Sequence, residues 1–157
     1  MAITIFFGLE VPAEVKAAKP ALARAAALGL GARNARRPVN LVFTGGPGIK
    51  ALNRRFLSKN RVTDVIAFNF PPSRIPGADW GEIYICLPAA ARQARALGHS
   101  LLTELLVLAV HGALHLSGMD DNTPAKRRAM NLKTASILKN YSSGKRESFS
   151  IPPRPLI

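Results

Sequence analysis

Hydrophobic residues recur along the chain in short runs separated by polar segments, a pattern typical of strands that alternate with helices. Four runs rich in β-branched and aromatic residues predict strands over residues 3–9, 39–43, 63–70 and 81–87. Apolar residues at helical spacing predict about five helices, over residues 12–28, 49–57 and 88–97, from Ser100 onward, and from Asn122 or Thr123 to about Tyr141. This alternation indicates an α/β (α+β) fold.

Three local patterns refine these boundaries. Pro20 should end or kink the first helix, because proline lacks a backbone N–H and clashes with the preceding turn. The residues after that helix predict a basic loop that contains Arg33, Arg36 and Arg37. The glycine-rich run at residues 45–50 lacks the spacing of a phosphate-binding loop and is not followed by Ser or Thr, so it predicts a turn.

The most informative stretch is residues 104–121, which reads E-L-L-V-L-A-V-H-G-A-L-H-L-S-G-M-D-D. Its apolar residues repeat with helical period, so His111 and His115 leave one face of a helix with Cα atoms roughly 6 Å apart. Gly118 predicts a turn after this helix, and Asp120 and Asp121 follow directly. The pattern H-x-x-x-H-x-x-G-x-x-D therefore offers two nitrogen ligands and one oxygen ligand, with a fourth tetrahedral position open as in catalytic zinc sites.

Other interpretations of these residues stay open. Two histidines four residues apart also arise by chance in helices. Glu104 either orients a metal ligand from behind or is a solvated acid in the first turn of the helix. Asp120 either orients a ligand or only forms the turn.

The composition indicates a single domain. The 157 residues are 48% hydrophobic, which is enough for one core. No apolar run is long enough to span a bilayer, and the first residues lack the basic start and cleavage site of a signal peptide, so we expect a cytoplasmic protein without membrane contact. The single cysteine, Cys86, is expected to be a small buried strand residue.

The net charge of +13 favours a polyanionic partner, because each neutralised phosphate releases condensed counterions. An acidic membrane surface is the weaker alternative, since the sequence contains no basic amphipathic helix with an aromatic anchor. The charge therefore favours nucleic acid.

Three motifs, in order and spacing, resemble the YbeY endoribonuclease family of ribosomal RNA maturation factors. They read L-N-R-R-F-L-S-K-N-R-V-T-D-V-I-A-F, G-E-I-Y-I and H-G-A-L-H-L-S-G-M-D-D, and the resemblance extends from about residue 39 to 138. It implies a single α/β domain with a small mixed four-stranded sheet and a metal-bearing central helix. The domain is expected to span residues 1–141, followed by a flexible, basic, proline-containing tail over residues 142–157.

The resemblance also implies one bound zinc ion per chain, held by His111, His115 and Asp121. The family usually has a third histidine at the last position, and aspartate is an acceptable zinc ligand. The family often has an arginine where this chain has Leu57. Any phosphate-binding role of that arginine is lost here or passes to Arg54, Arg55 or Arg61. Of these three, Arg55 and Arg61 are our candidates for catalytic residues.

The activity implied by the resemblance is zinc-dependent cleavage of single-stranded RNA, in maturation of the 3′ end of 16S ribosomal RNA and in ribosome quality control. The implied partners are the small ribosomal subunit and its assembly factors. Zinc would make hydroxide available at neutral pH and polarise a phosphoryl oxygen.

Two rival functions are a metalloprotease and a non-catalytic ribosome-binding factor with a structural metal. The first is disfavoured because Gly112 stands where zincin proteases have their glutamate general base.

Overall fold

A four-stranded sheet organises the fold. The computed structural model describes residues 2–142, and within them the chain forms four strands and six helices. The strands are β1 (Ile3–Phe7), β2 (Val39–Thr44), β3 (Val65–Asn69) and β4 (Gly81–Cys86). The helices are α1 (Ala13–Ala17), α2 (Lys19–Asn34), α3 (Gly46–Leu57), α4 (Leu87–Leu97), α5 (Leu101–Leu116) and α6 (Pro124–Ser142).

The sheet is mixed and has the strand order β1-β2-β4-β3. The β1–β2 and β2–β4 pairs are parallel, whereas β3 runs antiparallel to β4 at the edge. α1 and α2 form the crossover between β1 and β2, as a parallel pair requires. A loop over residues 70–80 joins β3 to β4. The predicted α/β class, the mixed sheet and the four strands are therefore confirmed.

The two faces of the sheet are covered by different helices. Leu41 and Phe43 of β2 and Ile83 and Ile85 of β4 point into the main core, which also contains residues of α2 and α5. The alternate residues of β4, Tyr84 and Cys86, contact a smaller cluster around α3 on the opposite face. The expectation that Cys86 is buried is confirmed.

α5 is the central helix, and eleven of its 16 residues are buried. A helix that is apolar on nearly every side belongs in a core. α2 packs against it so closely that a Cβ atom at Gly29 would lie 2.8 Å from the Ala113 Cβ and 2.9 Å from the Val110 carbonyl oxygen. Glycine at position 29 thus sets the distance between the two helices.

The first predicted helix, over residues 12–28, consists of two helices. α1 ends at Ala17 and α2 begins at Lys19, so Pro20 lies in the first turn of α2, where its missing N–H leaves no hydrogen bond unmade. The break expected near Pro20 is confirmed. α2 continues through a non-helical Gly31 (φ 75°) to Asn34, so the loop predicted for Arg33 is wrong and that residue lies in the last turn of the helix.

The turn predicted over residues 45–50 is also wrong. Gly45 is the N-cap of α3, and Pro47 lies in the first turn, a position where proline favours the start of a helix. Two residues that suggest a turn therefore begin a helix here.

No single helix within residues 2–142 has the length and apolar character needed to cross a membrane, although α4 and α5, bent by 115° to each other, meet those criteria together. Residues 143–157 of the predicted tail lie outside the described residues, so the domain boundary stays a prediction.

Replacing Gly29 with alanine should lower the free energy of unfolding by about 1–3 kcal/mol, because the added methyl group forces α2 away from α5. Urea denaturation followed by circular dichroism measures the change. Gly46→Ala is a matched control inside α3, since the nearest atom to its new Cβ, the Val62 Cγ2, lies at an ordinary contact distance of 3.7 Å, and no loss of stability is expected. Equal losses in the two variants would contradict close packing at Gly29.

Candidate metal centre

His111 and His115 lie one turn apart near the C-terminal end of α5. Their Nε2 atoms are 3.1 Å from each other, and the rings meet edge to face. The side chains are 13% and 27% exposed, so both imidazoles lie at the surface end of an otherwise buried helix. The N-terminal end of the helix is capped as predicted, by the Ser100 hydroxyl, which accepts a hydrogen bond from the Thr103 N–H at 3.1 Å.

The end of α5 explains how the aspartate returns to the histidines. Gly118 has φ 104°, its N–H donates to the His115 carbonyl, and the Met119 N–H donates to the Leu114 carbonyl. This pair of bonds is the Schellman motif, in which a left-handed residue reverses the chain. The turn predicted from Gly118 is confirmed, and it leads the chain back to Asp121.

Asp121 completes a cluster of three side chains that can ligate a metal ion, and we call His111, His115 and Asp121 the donor triangle. Its Oδ2 lies 3.3 Å from the His111 Nε2, and its Oδ1 lies 3.6 Å from the His115 Nε2. Four ligands at 2.0–2.1 Å around a tetrahedral zinc ion are separated from one another by roughly 3.3–3.4 Å. One ligand atom from each of the three residues lies within 4.8 Å of the other two, so the three side chains converge on one point, and two nitrogens and one carboxylate are chemically suited to zinc.

The protonation of these groups also suits metal binding. Burial lowers the pKa of His115 below 6.5, and the adjacent His111 lowers it further, while Asp121 acts in the opposite direction. Interaction with His111 lowers the pKa of Asp121 to about 2, although partial burial opposes this. At neutral pH His115 is therefore neutral and Asp121 is ionised, which are the forms that bind a metal ion.

Several contacts hold the end of α5 in place. The Asn69 side-chain amide, at the end of β3, donates to the Leu116 carbonyl at 3.2 Å. The Ser117 hydroxyl lies 3.0 Å from the Leu30 carbonyl of α2. The Leu116 side chain packs against Gly81, where a Cβ atom would lie 3.0 Å from its Cδ2. Asn69 is not among the residues predicted from the sequence, where its only signal is a polar side chain at the end of a strand.

Gly112, between the two histidines, faces the sheet and has no room for a side chain. A Cβ atom there would lie 2.5 Å from the Ile83 Cγ2. A glutamate, the general base of zincin proteases, does not fit at this position. Steric exclusion therefore adds to the chemical argument against a protease.

The structure separates the other two acids of the stretch from the donor triangle. Asp120 is half exposed, lies 3.2 Å from the Lys126 Nζ, and accepts from the Asn122 N–H at 3.5 Å, as a turn-forming aspartate does. Glu104 is fully buried, and its Oε2 lies 2.6 Å from the His99 Nε2. The interpretation of Glu104 as a solvated acid is therefore wrong, because it forms a buried pair with the third histidine of the chain.

The candidate arginines lie on and after α3, which packs against the opposite face of the sheet from α5. Arg55 is exposed, with its guanidinium 5.1 Å from the Phe56 ring centroid. Arg61 is exposed, and its backbone carbonyl accepts from the buried Asn53 side chain at 3.0 Å. Leu57 is 46% exposed. The catalytic assignment of Arg55 and Arg61 stays a prediction.

Thr63 and Asp64 act at the entry to β3. The Asp64 Oδ1 accepts from the Val65 N–H at 2.8 Å and lies 3.4 Å from the Thr63 hydroxyl. The Thr123 hydroxyl accepts from the Lys126 N–H at 3.2 Å, so Thr123 is the cap of the last helix.

The chain is similar to proteins of one family. The sequence model of a family described as Endoribonuclease YbeY matches residues 13–142. A protein of Elusimicrobium minutum named Endoribonuclease YbeY is 41% identical over 143 residues, which cover 88% of this chain and 98% of that protein. A protein of the same name from Geobacillus kaustophilus is 39% identical over 112 residues, which cover 66% of this chain and 72% of the relative.

The fold also matches a solved structure. The solution structure of TM1509 from Thermotoga maritima aligns with a TM-score of 0.56 and 24% identity over 97% of this chain and 99% of that one. The family match covers most of the described chain, and the Elusimicrobium relative matches over nearly its full length. This chain therefore belongs to the Endoribonuclease YbeY family.

Proposed function

We propose that this protein is a zinc-dependent endoribonuclease that cleaves single-stranded RNA. The observation that carries the proposal is the convergence of His111, His115 and Asp121, whose ligand atoms, one from each residue, lie within 4.8 Å of one another and form a donor set suited to zinc. Membership of an endoribonuclease family supports RNA as the substrate. The net charge of +13 supports a polyanionic ligand.

The three side chains have distinct tasks in this proposal. His111 and His115 would hold one ion per chain from a helix that is fixed in the core. Asp121 would supply the third ligand from the following loop. Bound there, zinc supplies a Lewis acid for a phosphoryl oxygen and lowers the pKa of water. Three protein ligands leave the fourth position for water or substrate, which a structural site would close with a fourth residue.

Basic side chains would hold the RNA strand and offset the charge that develops at the phosphate. Arg55 and Arg61 are the proposed residues, and both side chains are exposed and therefore accessible to RNA. Leu57 cannot supply a cation, so this chain depends on a neighbouring arginine for that task.

The biological setting is a further part of the proposal. We infer that the substrate is ribosomal RNA, that cleavage contributes to maturation of the 3′ end of 16S RNA and to ribosome quality control, and that the small subunit and its assembly factors present the substrate. This setting, which includes a cytoplasmic location, rests on the family relationship.

The adjacent aspartates provide a matched test of the centre. Asp121→Asn should weaken zinc binding at least about 100-fold and abolish cleavage of a labelled single-stranded RNA, because a neutral amide is a poor zinc ligand. Asp120→Asn should keep both properties, since that carboxylate contacts Lys126. Metal analysis and gel electrophoresis of the RNA products measure the two effects. Full zinc content in Asp121→Asn would refute the ligand assignment, and zinc-loaded protein that leaves RNA intact would instead favour a non-catalytic role.

Changing Asp121 to histidine should retain or tighten zinc binding, because it supplies a third imidazole at the position where the family usually has one. Competition with a chromogenic chelator measures the affinity. A folded Asp121→His protein without zinc would count against position 121 as a ligand, and circular dichroism establishes that the variant is folded.

Zinc affinity should change little from about pH 8 to about pH 6.5 and then fall as the pH decreases further. The sign follows from the need for neutral histidine ligands: protons compete with the metal as the pH falls, the lowered pKa of His115 moves its protonation to lower pH, and the pKa of Asp121 near 2 keeps that carboxylate ionised throughout. Chelator competition at a series of pH values tests this. A steep loss of affinity already above pH 7 would contradict the assigned protonation states.

A further inference from the structure

A second concave site lies beside the loop that joins β3 to β4. It is a surface pocket of about 200 Å³, and its lining includes Arg37, Pro71, Pro72, Ile75, Asp79 and Trp80. Drug-sized ligands occupy sites of about 300 Å³ or more, so this volume suits a small planar group. Neither the motifs nor the donor triangle includes any of these residues.

Hydrogen bonds hold the walls of the pocket in a fixed shape. The Trp80 N–H donates to the Pro38 carbonyl at 2.7 Å, and the Phe70 N–H donates to the Trp80 carbonyl at 2.9 Å. The Asn40 side-chain amide donates to the Asp79 Oδ2 at 3.0 Å. The pocket is therefore formed before any ligand arrives, which reduces the entropy cost of binding.

The chemistry of the pocket matches an unpaired nucleotide. The Arg37 guanidinium lies 5.3 Å from the centroid of the Trp80 ring, which makes a stacked aromatic and cationic pair. Proteins that recognise single-stranded RNA stack bases on aromatic rings and on guanidinium planes. Exposed Arg33, Arg36 and Arg74 are close in sequence to the lining residues, so positive charge exceeds the single Asp79 carboxylate.

A short structural path connects the pocket to the donor triangle. Trp80 precedes Gly81, and His115 precedes Leu116, while Gly81 and Leu116 pack directly against each other. Asn69 bonds the same Leu116 carbonyl from the end of β3. The pocket and the metal centre therefore flank one rigid junction between the sheet and α5.

We propose that this pocket binds one unpaired base of the RNA substrate on the Trp80–Arg37 pair and so positions the strand for cleavage at the metal centre. The inference rests on the proposed nuclease function. It adds a nucleotide subsite built from residues of this chain, and it explains selectivity for single strands, because a base held in a duplex cannot enter the pocket.

Trp80 is the only tryptophan in the chain, so its fluorescence reports on the pocket directly. Chelator-treated protein is titrated with a short single-stranded oligoadenylate, and fluorescence anisotropy of the labelled RNA measures total binding in parallel. The expected result is saturable quenching of Trp80 with the same Kd as the anisotropy change. The same oligonucleotide in a duplex should not quench.

Arg37→Lys keeps the charge but removes the planar stacking surface, and it should weaken binding roughly 5- to 100-fold. Arg92→Lys is the matched control, since Arg92 is exposed on α4, beyond the opposite end of β4. The Kd of this variant for the RNA should be unchanged. RNA binding without any change in Trp80 fluorescence, or equal weakening in both variants, would overturn the subsite. Quenching by a proline-rich peptide but not by RNA would assign the pocket to a protein partner and overturn it too.

Reloading the proteins with zinc separates this inference from the nuclease proposal. Saturable quenching without RNA cleavage would uphold the nucleotide subsite and refute the nuclease function. RNA cleavage that Arg37→Lys leaves unchanged, at RNA concentrations below the Kd, would uphold the nuclease and refute the subsite.

Discussion

The candidate metal centre depends on the close burial of α5 between the sheet and α2. Two glycines allow this packing. Gly112 of α5 lies against Ile83 of β4, and Gly29 of α2 lies against Val110 and Ala113 of α5. Because tightly packed interiors resist small displacements, the helix cannot slide or rotate without clashes on both sides. The directions of the His111 and His115 side chains are thus set by core packing and not by the metal.

The donor set differs from three neutral imidazoles in its electrostatics. The Asp121 carboxylate is held ionised by His111, and its charge raises the pKa of His115 against the larger effect of burial. An anionic ligand would reduce the effective charge of a bound cation and hence its strength as a Lewis acid.

Much of the architecture was predictable because local patterns and packing agree. The four strands, the central helix, the Ser100 cap and the Gly118 turn follow from local chemistry that the tertiary structure retains. The donor residues were predictable for the same reason, since all three lie within residues 111–121. The start of α3 was missed because Gly45 and Pro47 favour a turn and a helix start equally well, and only contacts of α3 with the sheet decide between them.

Features that join distant parts of the chain could not be read from the sequence. Glu104 looks like a surface acid in the first turn of a helix, and its burial against His99 depends on how the chain before α5 folds over it. The pocket around Trp80 unites the segment between α2 and β2 with the β3–β4 loop, over 30 residues away in sequence, and neither segment alone has a recognisable motif.

The Schellman turn at Gly118 separates the two histidines, which lie on the buried helix α5, from Asp121, which lies on the following segment. Two donors belong to a helix that opens only when the core opens, whereas Asp121 lies beyond the reversal, on a partly exposed segment before α6. Local opening in proteins starts where few buried contacts hold the backbone. Release of an ion held by these residues would then require movement of Asp120 and Asp121 only, because Met119 packs against the core and the helix that carries the two histidines stays closed.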